Sequence, residues 1–266
     1  MSTTFNVHKA SAYDQLMGRW SRKLAPLFIE FAEVAEGDSV LDVGCGTGSL
    51  TFELSNIPFL SRINAIDMSP VFVEAVRARN SDPRVAVQEA DAQSLPFENA
   101  GFDRVFSLLV LHFVADVDQA MSEMRRVARP GGVAAAAVWD HAGGMPVMRM
   151  LVDSLAAVVP KAEAFRTRFC FQPMTQPGEL EHAFITAGFD EIQQAELTIR
   201  MNYQNFDDFW LPIAAGEGPF GPLISPLSDD ERALAATTLR AAFEAGRPDG
   251  PRSFASTAFV CKGRAP

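Results

Sequence analysis

The feature that most constrains this chain is the run 40–50, VLDVGCGTGSL, where an apolar strand candidate passes straight into three closely spaced glycines and then into a helix candidate. A backbone that turns this tightly leaves no side chain between itself and a ligand, and the free N–H groups of the helix start point outward. Around it, apolar periodicity alternates between 2 and 3.6, the pattern of βαβ units about a parallel sheet. Strands are predicted over 39–43, 63–66, 85–88, 104–109 and 133–139, and helices over 47–55, 70–79 and 118–128. Pro70 after Ser69 marks a helix start, while Pro130, Gly131 and Gly132 end the last of these helices ahead of the fifth strand.

The second half is less regular. A helix over 179–187 is closed by Gly188, and two further strands are predicted over 191–200 and 253–261. The intervals 141–177 and 202–251 are too long for plain connections in a compact unit. Each contains a helix candidate, 147–158 and 229–245, the second capped by Ser228 with acidic residues in its first turn.

At 266 residues the chain fits one sizeable core with an appendage, taking about 150 residues per domain. Its 48% hydrophobic and 21% charged residues exclude disordered, fibrous and disulfide-scaffold classes. A net charge of −10 opposes phosphate backbones and anionic lipid headgroups, and the densest basic stretch, Arg125, Arg126 and Arg129, lies at a predicted helix end. No nucleic-acid or membrane partner is therefore expected. Cys45, Cys170 and Cys261 are too far apart for a metal pair and odd in number for a disulfide framework, so no metal and a reducing, cytoplasmic setting are expected. Residues 1–14 hold no apolar signal core, and the longest apolar runs fall short of the roughly 18 residues that span a bilayer.

The glycine run lacks the lysine of a triphosphate-binding loop. A dinucleotide loop wants a glycine where Ser49 stands, and Gly48 comes one place early. Asp42, before the first glycine, brings negative charge to the loop and suits a cationic ligand. Nineteen residues after Gly48, at the end of the second strand, Asp67 stands where a carboxylate accepts both ribose hydroxyls. An adenosine ligand with cationic groups fits both facts.

With these residues in place, the chain resembles the class I S-adenosylmethionine-dependent methyltransferases, particularly the bacterial small-molecule enzymes related to the ubiquinone and menaquinone C-methyltransferases. DVGCGTG, IDMSP, EADAQSLPF, FDRVFSLLVLHFVAD and RPGG occur in the family's order over about 13–139. The resemblance implies an α/β fold, a Rossmann-like seven-stranded, mostly parallel sheet with an antiparallel last strand, over which the two long intervals with their helix candidates are expected to form a helical cap. It also implies a helical lid over 1–36 and a methyltransferase domain over 37–266, with the cap at about 141–177 and 202–251. By the same resemblance Gly44, Cys45 and Gly46 line the methionine moiety of S-adenosyl-L-methionine, beside Asp42 and Gly48. Asp67 binds the ribose, Met68 packs on adenine, Asp91 and the Ala92 amide read the adenine edge, and Leu108 lies beneath the sulfonium. The product is S-adenosyl-L-homocysteine.

An N-terminal helix over 13–31 is expected to close the site, with Tyr13 or Arg22 contacting ligand and Trp20, Leu24 and Phe28 packing at helical spacing. His112 and His141 follow the fourth and fifth strands, at the sheet edge where open α/β folds bind ligands. Either one faces the acceptor as a base or both pack; His8 and His182 are less well placed. Phe165, Phe169, Phe171, Phe206, Phe209, Trp210 and Phe220, with Tyr203 nearby, are candidates for an aromatic roof over a small apolar or aromatic acceptor. The competing readings are an NAD(P)-dependent oxidoreductase and a non-catalytic S-adenosylmethionine-binding module.

Overall fold

A computed structural model of the chain describes residues 10–216 and 218–266, so His8 lies outside the described residues. The first described segment is helical: α1 (Ala10–Tyr13), a π-helical turn (Asp14–Gly18) and α2 (Arg19–Ala32). Then come β1 (Ser39–Val43), α3 (Ser49–Ser55), β2 (Arg62–Asp67), α4 (Pro70–Arg79), β3 (Val85–Glu89), β4 (Phe102–Leu108), a 3₁₀ turn (Leu111–Phe113), α5 (Val117–Val127) and β5 (Ala128–Trp139). The remainder holds α6 (Pro146–Val158), α7 (Glu163–Cys170), α8 (Glu179–Thr186), β6 (Asp190–Tyr203), α9 (Phe206–Ala214), α10 (Gly221–Ile224), α11 (Asp229–Glu244) and β7 (Arg252–Arg264).

The sheet has seven strands in the order β3-β2-β1-β4-β5-β7-β6. β1 to β5 pair in parallel, and β7 runs antiparallel to both β5 and β6. The antiparallel strand expected from the family pattern is thus β7. The reversal of strand order lies between β1 and β4, the crevice at which a doubly wound sheet receives ligands beyond its carboxyl ends.

β5 shows why the sheet is covered on both faces. Ala135, Ala137 and Trp139 belong to one apolar cluster and Ala134, Ala136 and Val138 to the other, all fully or almost fully buried. Successive side chains of a strand point to opposite faces, and a run of alanines lets both helical layers come close. α2, α6, α9 and α11 contribute to the first cluster, and α5 and α8 to the second.

Three expectations shift on inspection. The fifth strand begins earlier, at Ala128, and absorbs Gly131, with its left-handed φ of +77°, as an irregularity where the register shifts between Phe102 and Arg104. The N-terminal helix is interrupted by the π-turn, which local periodicity does not encode. Three helices that sequence patterning did not resolve, α7, α9 and the short α10, occupy the long intervals; α9 starts at the cap Asn205, whose side chain accepts from the Asp208 amide. α11 has the predicted cap, with Ser228 and Glu231 in a reciprocal capping box.

Candidate active site

At the carboxyl edge of β1, β2 and β4 lies a cavity of about 990 Å³ including its open mouth, within the size range of ligand sites. The turn after β1 forms its floor. The Gly44 and Cys45 amides both donate to the Ile66 carbonyl at 2.8 Å, tying the turn to the end of β2. Gly44 has φ +78°, and a Cβ there would lie 2.5 Å from both Val110 methyls, so no other residue fits without moving the β4 loop. Gly48 is a different case. It does not line the cavity; its φ of +87° and the Phe52 ring 2.6 Å from a built Cβ make it a packing requirement at the start of α3.

Asp67 holds the turn from the other side. One carboxylate oxygen accepts from the Gly46 amide at 2.9 Å and the other from the Ser69 amide at 2.8 Å. Each oxygen keeps a second lone pair, which is what a vicinal diol requires. Burial raises the carboxyl above its ordinary pKa, and the two amides oppose that. Met68, half exposed, and Asp91, whose oxygens accept from the Gln93 amide and side chain, line the same wall with Ala92. Leu108 lies at the end of β4, followed by Leu109 with a left-handed backbone, φ +65°. Strain of that kind persists only where neighbours enforce it, here through the Leu109 amide bonded to Ala137.

Asp42 is almost fully buried beneath the floor. Its Oδ2 accepts from the Thr51 hydroxyl at 2.6 Å, while Oδ1 has no hydrogen-bond partner among the described residues. Desolvation pushes its pKa up to about 7. The described lining of the cavity contains three carboxyls, Asp42, Asp67 and Asp91, and no lysine, arginine or histidine. A pyrophosphate would meet repulsion without a counter-charge, whereas a ligand carrying a sulfonium and an ammonium supplies the missing cation. The residues present therefore fit S-adenosylmethionine and disfavour a nicotinamide dinucleotide.

The N-terminal helices reach this site in a way the sequence reading only partly anticipated. Tyr13 lines the cavity, 3.9 Å from the position of a Cβ on Gly46, and burial and the nearby Asp67 charge raise its phenol pKa. Arg22 does not line it: the half-exposed guanidinium turns to Asp14 at 3.1 Å. Asp14 is the residue that was missed. It accepts from the Thr47 hydroxyl of the glycine turn at 2.6 Å and stands 3.6 Å from Arg79, fastening the π-turn onto the loop. An acidic residue in a helix interior carries no sequence signal for that role. Trp20 is core, edge-on to Tyr203 at 5.2 Å.

A second cavity, about 510 Å³ with its opening, shares Tyr13, Ser21, Leu109 and Phe113 with the first. His112 and His141 both line it, their rings 5.3 Å apart. His141 stacks on Phe169 at 4.3 Å and 7°, and its Nδ1 lies 3.1 Å from the Phe169 carbonyl. A carbonyl can only accept, so Nδ1 carries the proton and Nε2 keeps its lone pair. Desolvation lowers the pKa of His141 to about 4 and that of His112 well below the ordinary range, so both rings are neutral at pH 7. Trp139, Met145, Met148 and Phe220 complete the wall.

The expected aromatic roof divides in two. Phe169 and Phe220 line this cavity, with Phe165 in the adjoining outer one. Phe206, Phe209 and Tyr203 instead cluster with Phe243 as core, with Trp210 stacked on Phe206, and Phe171 is exposed. Among the described residues no group of His, Cys, Asp or Glu is arranged to hold a metal ion, and no helix is long and apolar enough to cross a membrane.

Residues 41–136 match a family model described as a methyltransferase domain. The chain is similar to a malonyl-[acyl-carrier protein] O-methyltransferase of Hahella chejuensis, 34% identical over 46% of this chain and 44% of that protein. It is also similar to the methyltransferase GfsG of Streptomyces halstedii, 34% identical over 48% of this chain and 49% of that one. The matches thus span under half the length of these relatives. The crystal structure of the YcgJ protein from Bacillus subtilis shares the fold, with TM-score 0.59 at 19% identity over 92% of this chain and 98% of that chain. The matched segment runs from β1 into β5 and includes the glycine turn, so this part of the chain is similar to a methyltransferase domain, and the sheet around it has the fold of the YcgJ protein.

Proposed function

We propose that the chain transfers a methyl group from S-adenosyl-L-methionine to a small apolar or aromatic molecule in the cytoplasm. The observation that carries this reading is the pair of adjoining cavities, one acidic and built on the glycine turn, the other apolar and flanked by two neutral histidines. S-adenosylmethionine, when bound, supplies an activated methyl on a sulfonium.

The chain's own residues then have assignable tasks. Asp67 accepts the ribose hydroxyls, Asp91 and the Ala92 amide take the adenine edge, and Met68 covers its face. Gly44, Cys45 and Gly46 admit the methionine moiety against the backbone, with Asp42 as the buried counter-charge. Leu108 and Leu109 form the wall between donor and acceptor, and Tyr13 closes it. His141 Nε2 is an acceptor held in one tautomer by the Phe169 carbonyl, suited to take a proton from an O–H or N–H as methylation proceeds. His112, facing it edge-on, contributes a second neutral ring. The rest of the work is alignment and exclusion of water.

Neither nucleic acid nor membrane is part of the proposal, in keeping with the net charge of −10. The test is to incubate the protein and isotopically labelled S-adenosylmethionine with a metabolite extract and search by mass spectrometry for a labelled product. One small metabolite gaining the labelled methyl is expected. Label on nucleic acid or protein alone, or on nothing while the donor binds, contradicts the acceptor class and favours the non-catalytic reading.

A further inference from the structure

The acceptor cavity continues outward into a third space of about 720 Å³, sharing His112, Phe113, Phe169, Gln172 and Pro219 with it. The path from solvent to the histidines passes a ladder of rings. Phe165 and Phe169 lie 6.2 Å apart at 16°, and Phe169 stacks on His141. Phe220 leans against both phenylalanines at 6.1 and 5.9 Å. Apolar, flat surfaces of this kind favour a planar guest.

At the outer end of the ladder stands Arg168, an exposed side chain on α7 that lines the third space with its guanidinium 5.4 Å from the Phe165 ring centre. Its neighbours are neutralised. Arg149 pairs with Asp153 at 3.1 Å, and Arg166 pairs with Glu163 at 2.6 Å and Asp153 at 3.4 Å. Arg168 has neither an ion pair nor a hydrogen bond among the described residues. The three spaces are therefore graded in charge: three carboxyls around the donor, neutral rings at the middle, and one uncompensated cation at the mouth.

Resting on the methyltransferase reading above, we propose that the acceptor is an aromatic carboxylate, held with its anion on Arg168 and its reacting O–H or N–H toward His141. Guanidinium and carboxylate match as a planar two-point pair, and stacking against Phe165 keeps the fork oriented. The same arrangement excludes the opposite orientation, because a carboxylate pushed inward would meet the neutral histidines and then the acidic donor cavity without a partner.

The experiment measures binding to the protein saturated with S-adenosylhomocysteine, using 4-hydroxybenzoate and its neutral amide, 4-hydroxybenzamide, as probes. The carboxylate is expected to bind about tenfold tighter than the amide, with the preference shrinking as salt rises. Arg168→Gln should abolish the preference and leave S-adenosylhomocysteine affinity unchanged; the side chain is exposed, and circular dichroism checks that the variant is folded. Absence of carboxylate binding, equal affinity for both probes, or a preference that survives Arg168→Gln overturns the inference while the donor site stands. Failure of S-adenosylhomocysteine itself to bind removes the methyltransferase reading and this inference with it.

Discussion

The carboxyl-lined cavity, proposed for the donor, and the histidine-flanked cavity, proposed for the acceptor, share a wall yet are built by opposite means. The first is made of strand tips, with backbone amides, one obligatory glycine and carboxyls on neighbouring turns, so its shape is set by main-chain geometry. The second is made of side chains from the N-terminal helices, the turn after β4, β5, α6, α7 and the segment before α10, brought together by packing and by single bonds such as that of His141 to the Phe169 carbonyl. A site written in the backbone tolerates few sequences and leaves a readable trace. One made of converging side chains can be rebuilt for another guest while the donor site stays as it is.

The sharpest way to break this contrast is a change in the donor floor. Gly44→Ala places a methyl within 2.5 Å of Val110 on a left-handed backbone, so S-adenosylhomocysteine affinity should fall by about 100-fold or more. Isothermal calorimetry on protein shown by circular dichroism to be folded checks it. Its counterpart is Phe169→Ala in the acceptor wall, expected to cost about 3 kcal/mol in urea unfolding and to alter S-adenosylhomocysteine affinity by less than about twofold. If the two substitutions affect donor binding equally, the division between cavities is wrong.

Asp42 offers a subtler test because it acts on folding and binding with opposite signs. Its carboxyl ionises near 3.8 in the unfolded chain and near 7 in the fold, so stability drains away as pH rises between those values and levels off above them. Asp42→Asn should raise the melting temperature of the ligand-free protein at pH 8 relative to wild type. A cationic ligand favours the ionised form, so the same variant should bind S-adenosylmethionine about tenfold more weakly at pH 8, with little difference at pH 5. The smallest effect is expected at the fastening of the N-terminal helices. Asp14→Ala removes the bond to Thr47 and should weaken S-adenosylhomocysteine by about threefold to tenfold, measured by calorimetry.

Legibility followed the same divide. Residues 39–139 were readable because each strand end, glycine and capping residue acts locally, and α4 begins and ends where Pro70 and Arg79 place it. Asp42, Gly44 and Asp67, which line the first cavity, could be picked out because each stands next to a strand end, and Asp91 because its segment resembles a family motif. Gly48 was misassigned as a ligand contact, since a tight approach of Phe52 and a tight approach of a ligand demand the same residue. Arg22 was misassigned because helical spacing gives a face but not a partner, and Asp14 captured it. The aromatic roof could not be divided in advance, because Phe169 at a cavity and Phe209 in the core obey the same hydrophobic rule.

The central claim, that the carboxyl-lined cavity receives a sulfonium nucleoside, is tested most directly by calorimetric titration with S-adenosylmethionine at pH 7 in two buffers of different ionisation enthalpy. One molecule bound per chain is predicted, with an apparent heat that differs between buffers because Asp42 releases a proton on binding. A flat titration with S-adenosylmethionine alongside saturable heat from NAD would contradict it.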